Sequence, residues 1–448
     1  MNRHHRARAA APPGEGAVTL TLDSLAHGGE AVGRLDGMPV FVAGGVPGDV
    51  VRVELQKKDR FARGRLLEIL TPAPGRLTPD CRIHPACGGC PWMEVPAAVA
   101  LEQKGRILLD GLIHVGRLNL DGVDVRAPLA APLATRYRHR ARLHAERQGH
   151  SRVLGFLPAR GRGVIPVETC PVLEEPLERA LKIVARSLER APEGALDVTL
   201  SGEPIEKGGR VGVAIETAGP PDEHRWRRVA MGLHSEHRLA VEVFRKGRTL
   251  AYAGENWLRH GVAPGAPGGP YTHDASCFTQ GNRAQNLNLI ALVKAALGPS
   301  PGHVLELHCG CGNFTLALAP LCKTITAVES HPRAVEHLGR NIQSSGMGAK
   351  IRGMAGDADR LGDVRRALAG QKIDALVLDP PRTGAPGLAA VVEQTRPGKI
   401  IYVSCNPATL ARDVAHLTAL GYVLKSVQAV DLFPRTWHVE AVVVLEAA

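Results

Sequence analysis

Asp379-Pro380-Pro381-Arg382, Ser404-Cys405-Asn406-Pro407 and His438-Val439-Glu440 follow a glycine turn, Glu306-Leu307-His308-Cys309-Gly310-Cys311-Gly312-Asn313. Together they offer an acidic anchor, a thiol nucleophile, a carboxylate base and a turn that a cofactor's adenosyl group could approach. These are the parts needed to methylate a pyrimidine at carbon 5. Carbon 5 of an intact uracil ring is a poor nucleophile. A thiolate adding to carbon 6 makes C5 the carbon of an enolate, which can attack a sulfonium methyl. A base then takes the C5 proton and the thiol is eliminated.

Cys405 stands at the carboxyl end of a predicted strand and is the candidate nucleophile. A free thiol has a pKa of about 8.5, so a few per cent is ionised at neutral pH and activation is expected. Asp379 ends the preceding strand, and Pro380-Pro381 holds the next backbone extended, so its carboxylate can face the same pocket and bond to the uracil ring. Glu440, on the last strand, is the candidate base; burial or a like charge would raise its pKa towards that task. Each residue alone also fits a structural role, as core thiol, turn acid or surface acid. Three at strand ends of one sheet favour a common site. Amino-group methylation commonly sets an aromatic residue after Asp-Pro-Pro, where Arg382 stands. RNA cytosine-5 methylation needs a second cysteine beside the proline, and none is present.

The glycine turn ends a predicted strand at Glu306, and Gly310 and Gly312 let the backbone pass close to a ligand. Glu329 ends the next strand, where a carboxylate can accept both ribose hydroxyls. The full G-x-G-x-x-G fingerprint is incomplete, which favours S-adenosylmethionine over a dinucleotide. Cys81, Cys87 and Cys90 form C-x5-C-x2-C in a loop rich in glycine and proline, and Cys170 is the expected fourth ligand. Four thiolates suit either an iron–sulfur cluster or zinc. The spacing is not the C-x3-C-x2-C of radical adenosylmethionine enzymes.

The elements that must position these residues fall into three groups. Short β-prone segments at Val18–Leu22, Pro39–Val42, Val50–Leu55 and Gly64–Leu70, separated by glycines, predict a barrel of about five strands within 15–72. Arg34, Arg52, Lys57, Lys58, Arg60, Arg63 and Arg65 cluster in it. Thr71-Pro72-Ala73-Pro74-Gly75 is a linker, followed by the cysteine loop and a helix within Val95–Val115. A β-rich region from Arg136 to Tyr252, with one helix around Pro171–Arg190, completes a central domain over 73–270. Beyond the Gly261–Gly269 break, candidate strands His303–Leu307, Thr324–Glu329, Lys350–Met354, Ala375–Asp379, Lys399–Ser404, Val423–Val430 and Val439–Leu445 alternate with helices until a closing hairpin. They predict an α/β, doubly wound seven-strand Rossmann-like domain over 271–448.

With 55 Lys+Arg against 44 Asp+Glu the chain carries a formal charge of +11, which favours a polyanionic partner. Aromatic residues are 4%, too few for extended base-stacking platforms. Residues 1–14 read as a basic flexible tail without a secretory core, and no apolar run approaches a membrane span, so a cytoplasmic location is expected. Nine cysteines in 448 residues do not form a disulfide scaffold.

At these residues the chain resembles the RNA uracil-5-methyltransferase family over nearly its full length. The resemblance implies that the barrel is a TRAM domain, an OB-like RNA-binding fold, and that Cys81, Cys87, Cys90 and Cys170 hold a [4Fe-4S] cluster. Phe278-Thr279-Gln280-Gly281-Asn282 is similar to the family's Phe-x-Gln-x-Asn segment, which puts Gln280 in the cofactor and uracil pocket. Asn313, Glu329 and Asp357 fall at cofactor-binding positions, Asp379 at the uracil contact, Cys405 at the nucleophile and Glu440 at the base. His308 belongs to the same cofactor-binding set, and Asp379 also lines it. Glu306 stands for a usual aspartate and His308 for a usual aromatic. Having both barrel and cluster, the chain is more similar to the family's 23S ribosomal branch, implying a monomeric enzyme that acts on a flipped uridine in an rRNA loop. A tRNA substrate and a noncatalytic RNA-binding or assembly role are the alternatives.

Overall fold

The computed structural model describes residues 17–204, 208–260, 271–299 and 301–448. The expected basic tail at 1–14 and the Gly261–Gly269 break lie outside the described residues. β1 (Ala17–Leu25), β2 (Ala31–Leu35), β3 (Met38–Val42), β4 (Val50–Lys57) and β5 (Ala62–Thr71) close into a barrel in the order β1-β2-β3-β5-β4. Strand alternation sends Leu20, Leu22, Val40, Val42, Val51 and Val53 inward. Asp36 and Gly37, with φ of 51° and 82°, form the two-residue turn from β2 to β3, the left-handed pair that a tight hairpin requires.

α1 (Ala97–Asp110) buries Ala100, Gln103, Lys104, Ile107 and Leu108 along one stripe. The Gln103 amide oxygen accepts from the backbone N–H of Leu25, 2.9 Å away, so the helix is tied to the barrel. β6 (Asp124–Leu129) follows it.

β7 (Arg140–Gln148), β8 (Ser151–Phe156), β9 (Ile165–Pro166), α2 (Glu175–Ser187), β10 (Leu196–Gly202), β11 (Val211–Thr217), α3 (Glu223–His237), β12 (Ala240–Arg245) and β13 (Arg248–Ala253) make the central sheet, ordered β13-β12-β11-β10-β7-β8-β9. Leu177, Leu181 and Val184 from α2 and Trp226 and Leu233 from α3 join its core. Sequence reading anticipated α2 and not α3. The signal for α3 is a stripe of Trp226, Val229, Ala230 and Leu233 at helical spacing, diluted by arginines and histidines, behind Asp222, whose carboxylate caps Arg225 N at 2.9 Å.

β14 (Leu258–His260) and β15 (Tyr271–His273) form a separate ribbon, and α4 (Arg283–Leu297) leads into the last sheet. Its elements are β16 (His303–Leu307), α5 (Asn313–Leu318), β17 (Thr324–Glu329), α6 (Pro332–Ser345), β18 (Ile351–Ala355), α7 (Leu361–Leu368), β19 (Ala375–Leu378), α8 (Leu388–Thr395), β20 (Lys399–Ser404), α9 (Pro407–Ala419), β21 (Tyr422–Val430) and β22 (Glu440–Ala447). Among the described residues the order is β18-β17-β16-β19-β20-β22-β21-β6. β16 to β20 run parallel and β22 lies antiparallel between β20 and β21. The doubly wound fold is as expected. The strand order turns back between β16 and β19, which opens a crevice at the carboxyl ends where ligands bind. The sheet has one strand more than the seven expected: β6 adds in parallel to β21, pairing Asp124 with Ser426 and Val125 with Val427. It escaped sequence reading because four of its six residues are exposed and Pro128 interrupts it. No helix among the described residues is long and apolar enough to cross a membrane.

Candidate active site

Asp379 directly follows β19, Cys405 directly follows β20, and Glu440 opens β22. The antiparallel ladder pairs Ser404 with Ala441, so one step further Cys405 faces Glu440. Asn406 fixes this corner. Its side-chain oxygen caps α9 by accepting from Ala408 N at 3.1 Å, while its amide donates to the Arg382 carbonyl at 2.9 Å and joins the Asp-Pro-Pro-Arg turn to the thiol's loop. Gln280 Nε2 donates to Asp379 Oδ2 at 3.0 Å, which brings the Phe-x-Gln-x-Asn segment to the same pocket.

The pocket raises the pKa of every acid in it. Asp379 keeps some surface open, yet burial of its carboxyl lifts the pKa to about 7 against the Gln280 hydrogen bond. Glu440 is 3% exposed and its Oε1 has no partner; burial, then the Asp379 charge, push it well above the carboxylate range, with Arg382 opposing. Burial, followed by Glu440 and Asp379, pushes the Cys405 thiol up to about 12, again against Arg382. Without substrate, then, the thiol is protonated and Asp379 and Glu440 do not share two negative charges. Arg382 is a further candidate site residue, its signal in the sequence being its place directly after Pro381. Its charge lowers the pKa of both Cys405 and Glu440, so it faces this pocket. Its Nη2 lies 3.5 Å from His438 Nε2.

On the other side of the crevice the backbone forms the candidate cofactor cradle. Gly310 and Gly312 have φ of 58° and 100°, and a side chain on Gly312 would meet Leu338 at 3.1 Å. Glu329 Oε2 accepts from Gly310 N at 2.9 Å, and Oε1 from Ser330 N and His331 N at 2.8 and 2.7 Å. Asp357 Oδ1 accepts from Asp359 N at 3.0 Å. Burial lowers the His308 pKa, which Asp359, Glu329 and Asp357 oppose, so these acids surround its ring; its Nε2 has no partner. Asn313 and Asn286 exchange amide hydrogen bonds, both 2.9 Å, which orient the Asn313 side chain and leave it one N–H and one lone pair for a ligand. Glu306 is 1% exposed, neither oxygen has a partner at full hydrogen-bond geometry, and burial pushes its pKa up to about 8, with Thr315 opposing. Unpartnered polar atoms at Glu306 and His308, beside a glycine cradle, suit a polar ligand with hydroxyl and amino groups.

Cys81, Cys87, Cys90 and Cys170 line one cavity of about 90 Å³, with Ile83, Met93, Phe156, Val172 and Arg138 around them. Gly89 N donates to Cys87 Sγ at 3.4 Å. Among the described residues only Asp274, Cys277 and His337 bring three potential ligand atoms within 4.8 Å of one another, so no three of the four sulfurs are that close. The Asp274 trio is an ion-pair network, since Arg333 already lies 3.3 Å from the same Asp274 oxygen as His337.

The segment between Asp431 and Glu440 links these sites. Lys104, fully buried, donates to Asp431 Oδ1 at 2.5 Å and to the Phe433 carbonyl at 3.0 Å. Tyr137 donates to the Pro434 carbonyl, Trp92 N to the Arg435 carbonyl, and Thr436 lines the cysteine cavity. From the barrel, His27 packs edge-on against Trp437 with ring centres 4.7 Å apart. Barrel, cysteine loop and catalytic strand therefore share one joint.

The pattern of the family tRNA (Uracil-5-)-methyltransferase matches residues 223–448, and that of the TRAM domain residues 17–67. An uncharacterized RNA methyltransferase of Thermosynechococcus vestitus is 30% identical, with 96% of this chain and 97% of the relative aligned. The 23S rRNA (uracil(1939)-C(5))-methyltransferase RlmD of Methylococcus capsulatus is 32% identical over 99% of both chains. The crystal structure of the Pyrococcus abyssi tRNA (uracil-54, C5)-methyltransferase, solved with S-adenosyl-L-homocysteine, superposes with a TM-score of 0.68 at 21% identity, covering 95% of this chain and all of that one. The chain belongs to the tRNA (uracil-5-)-methyltransferase family of enzymes and carries a TRAM domain before its catalytic sheet.

Proposed function

We propose that the protein uses S-adenosylmethionine to methylate carbon 5 of a uridine in 23S rRNA. The observation that carries the reading is the meeting of Cys405, Asp379 and Glu440 where β19, β20 and β22 adjoin. S-adenosylmethionine, when bound, supplies the electrophilic methyl group. Asp379 and Gln280 hold the uracil ring; the Cys405 thiol loses its proton to solvent and its sulfur bonds to C6, while the C5–C6 π electrons move into the ring carbonyl as an enolate. C5 then gains the methyl group, Glu440 removes the C5 proton, and the C6–S bond breaks to restore the ring. Glu440 must be ionised for that step, so turnover rises with pH as the raised carboxyls lose their protons. Glu329, Asp357, Asn313 and His308 are the residues of this chain assigned to the cofactor. Oε1 of Glu329 is occupied by two amides and, at 3.4 Å, the Ser330 hydroxyl, so the lone pair left for a ribose hydroxyl is on Oε2, which accepts from Gly310 N.

The four cysteines fit a [4Fe-4S] cluster better than zinc. Sulfurs about 2.3 Å from one zinc stand roughly 3.8 Å apart, closer than these four are grouped. In this reading residues 15–72 and 73–270 hold RNA and 271–448 carry the chemistry in a cytoplasmic monomer. The 23S substrate is supported by the full-length likeness to RlmD. A tRNA substrate is the second reading, favoured by the likeness to the Pyrococcus enzyme. Labelled S-adenosylmethionine offered with unmodified 23S and tRNA transcripts decides between them. The expected result is label in 5-methyluridine at a 23S position. Label in tRNA alone would overturn the substrate, and label in neither would overturn the activity.

A further inference from the structure

α2 and α3 leave between them a groove of about 770 Å³ lined by Arg186, Arg190, Arg225, Arg228 and His237. It belongs to no site described above. Arg186, Arg190 and Arg228 are exposed, and none has a carboxylate partner among the described residues. Arg225 Nε donates to the Arg190 carbonyl at 2.9 Å and clips the two helices together. Two acids, Glu189 and Glu236, also line the groove, against four arginines, so its net charge stays positive. Glu189 accepts from Arg152 N at 3.1 and 3.2 Å, and Glu236 lies 3.8 Å from His237.

The barrel, the expected RNA contact, is mixed: its exposed Lys57, Lys58 and Arg60 have no carboxylate partner among the described residues. Its Arg52, Arg63 and Arg65 are each paired, with Glu68, Glu30 and Glu54. Unpaired guanidinium groups crowded along one groove repel one another, and a polyanion relieves that repulsion while gaining bidentate contacts. α3 lies against β12 and β13 and α2 against β10, β11 and β8, so the groove runs along the central sheet, whereas the catalytic residues stand on the last sheet. No residue that lines the groove belongs to the catalytic pocket.

We infer that the α2–α3 groove is a second RNA-binding site, which grips the phosphodiester backbone of the substrate rRNA at a segment remote from the methylated uridine. This rests on the 23S reading above. It predicts a length dependence. The triple variant Arg186→Gln/Arg190→Gln/Arg228→Gln, altered only at exposed positions, is compared with wild type for binding over a KCl series. One probe is a short 23S hairpin containing the target uridine and the other a 23S fragment of several hundred nucleotides. For the long fragment the variant should bind at least tenfold more weakly and lose about 2 to 3 from the slope of log K against log salt, roughly one per lost phosphate contact. Methylation of the short hairpin should be unchanged. An unchanged slope on the long fragment would overturn the proposal and leave an acidic protein as the groove's partner. Equal losses on both RNAs would also overturn it, because the arginines would then serve the catalytic strand. If wild type methylates neither 23S probe but the variant still flattens the salt slope on the long one, the substrate reading fails and the groove stands.

Discussion

The two sides of the catalytic crevice treat their carboxylates in opposite ways. On the cofactor side Glu329 accepts three backbone amides and Asp357 another, so their orientation is set before any ligand arrives. On the reacting side Glu440 keeps an oxygen without a partner, and burial lifts both it and Asp379 out of the usual range. Binding groups gain from being held in place. A group that must take up a proton gains from being left short of partners, because each hydrogen bond to the ionised form would lower its pKa. Glu306 has the reacting side's character and lies beside the cofactor cradle, which makes it the exception to explain.

The largest effect should come from Cys405→Ala. Turnover falls by on the order of 10⁴ or more, while RNA affinity stays within about twofold; retained turnover would remove Cys405 from the chemistry. Next is Asp379→Asn, expected to lower kcat by about a hundredfold. Its pH profile is the sharper readout. Asp379's charge raises the pKa of both Glu440 and Cys405, so removing it should move the rising limb of activity to lower pH. An unmoved limb would show that the three groups do not share a field. Glu329→Gln tests the cofactor side. Loss of a charge-assisted hydrogen bond, about 1.5–3 kcal/mol, should raise the KM for S-adenosylmethionine tenfold or more and leave kcat at saturation near wild type. A fall in kcat with KM unchanged would erase the distinction between the two sides.

A further effect concerns stability and leaves activity aside. Glu306 binds its proton more tightly when folded, with a pKa of about 8 against an ordinary 4.5. Its carboxyl therefore costs nothing below 4.5 and destabilises the fold progressively as pH rises from there to 8. Glu306→Gln should remove this loss, a few kcal/mol at most, so urea midpoints of variant and wild type converge near pH 5 and separate by pH 9. Parallel curves would mean that Glu306 is not held protonated.

Most of this architecture was legible because its signals are local. Alternating apolar residues between glycines gave the barrel, and strands ending in Glu306, Glu329, Asp379 and Ser404 gave the doubly wound sheet. What escaped depends on partners distant in sequence. β6 becomes a strand only because β21 offers an edge, and its own residues are too exposed and too interrupted by Pro128 to announce it. The partnership of Asn313 with Asn286 and the role of Arg382 beside His438 likewise follow from the fold's meeting points. The barrel's arginines read as free charge in the sequence, yet three are spent on glutamates brought opposite them. No count of charges could separate these from the unpaired arginines of the α2–α3 groove.

The most direct test of the catalytic assignment is the fate of RNA on Glu440→Gln. With thiol and methyl donor intact but no base for the C5 proton, the uridine should be methylated once and remain bonded through C6 to Cys405. Mass spectrometry of the denatured protein should find a methylated nucleotide on the peptide containing Cys405, absent from the Cys405→Ala/Glu440→Gln double variant. Free 5-methyluridine released at the wild-type rate, with no adduct, would contradict the account.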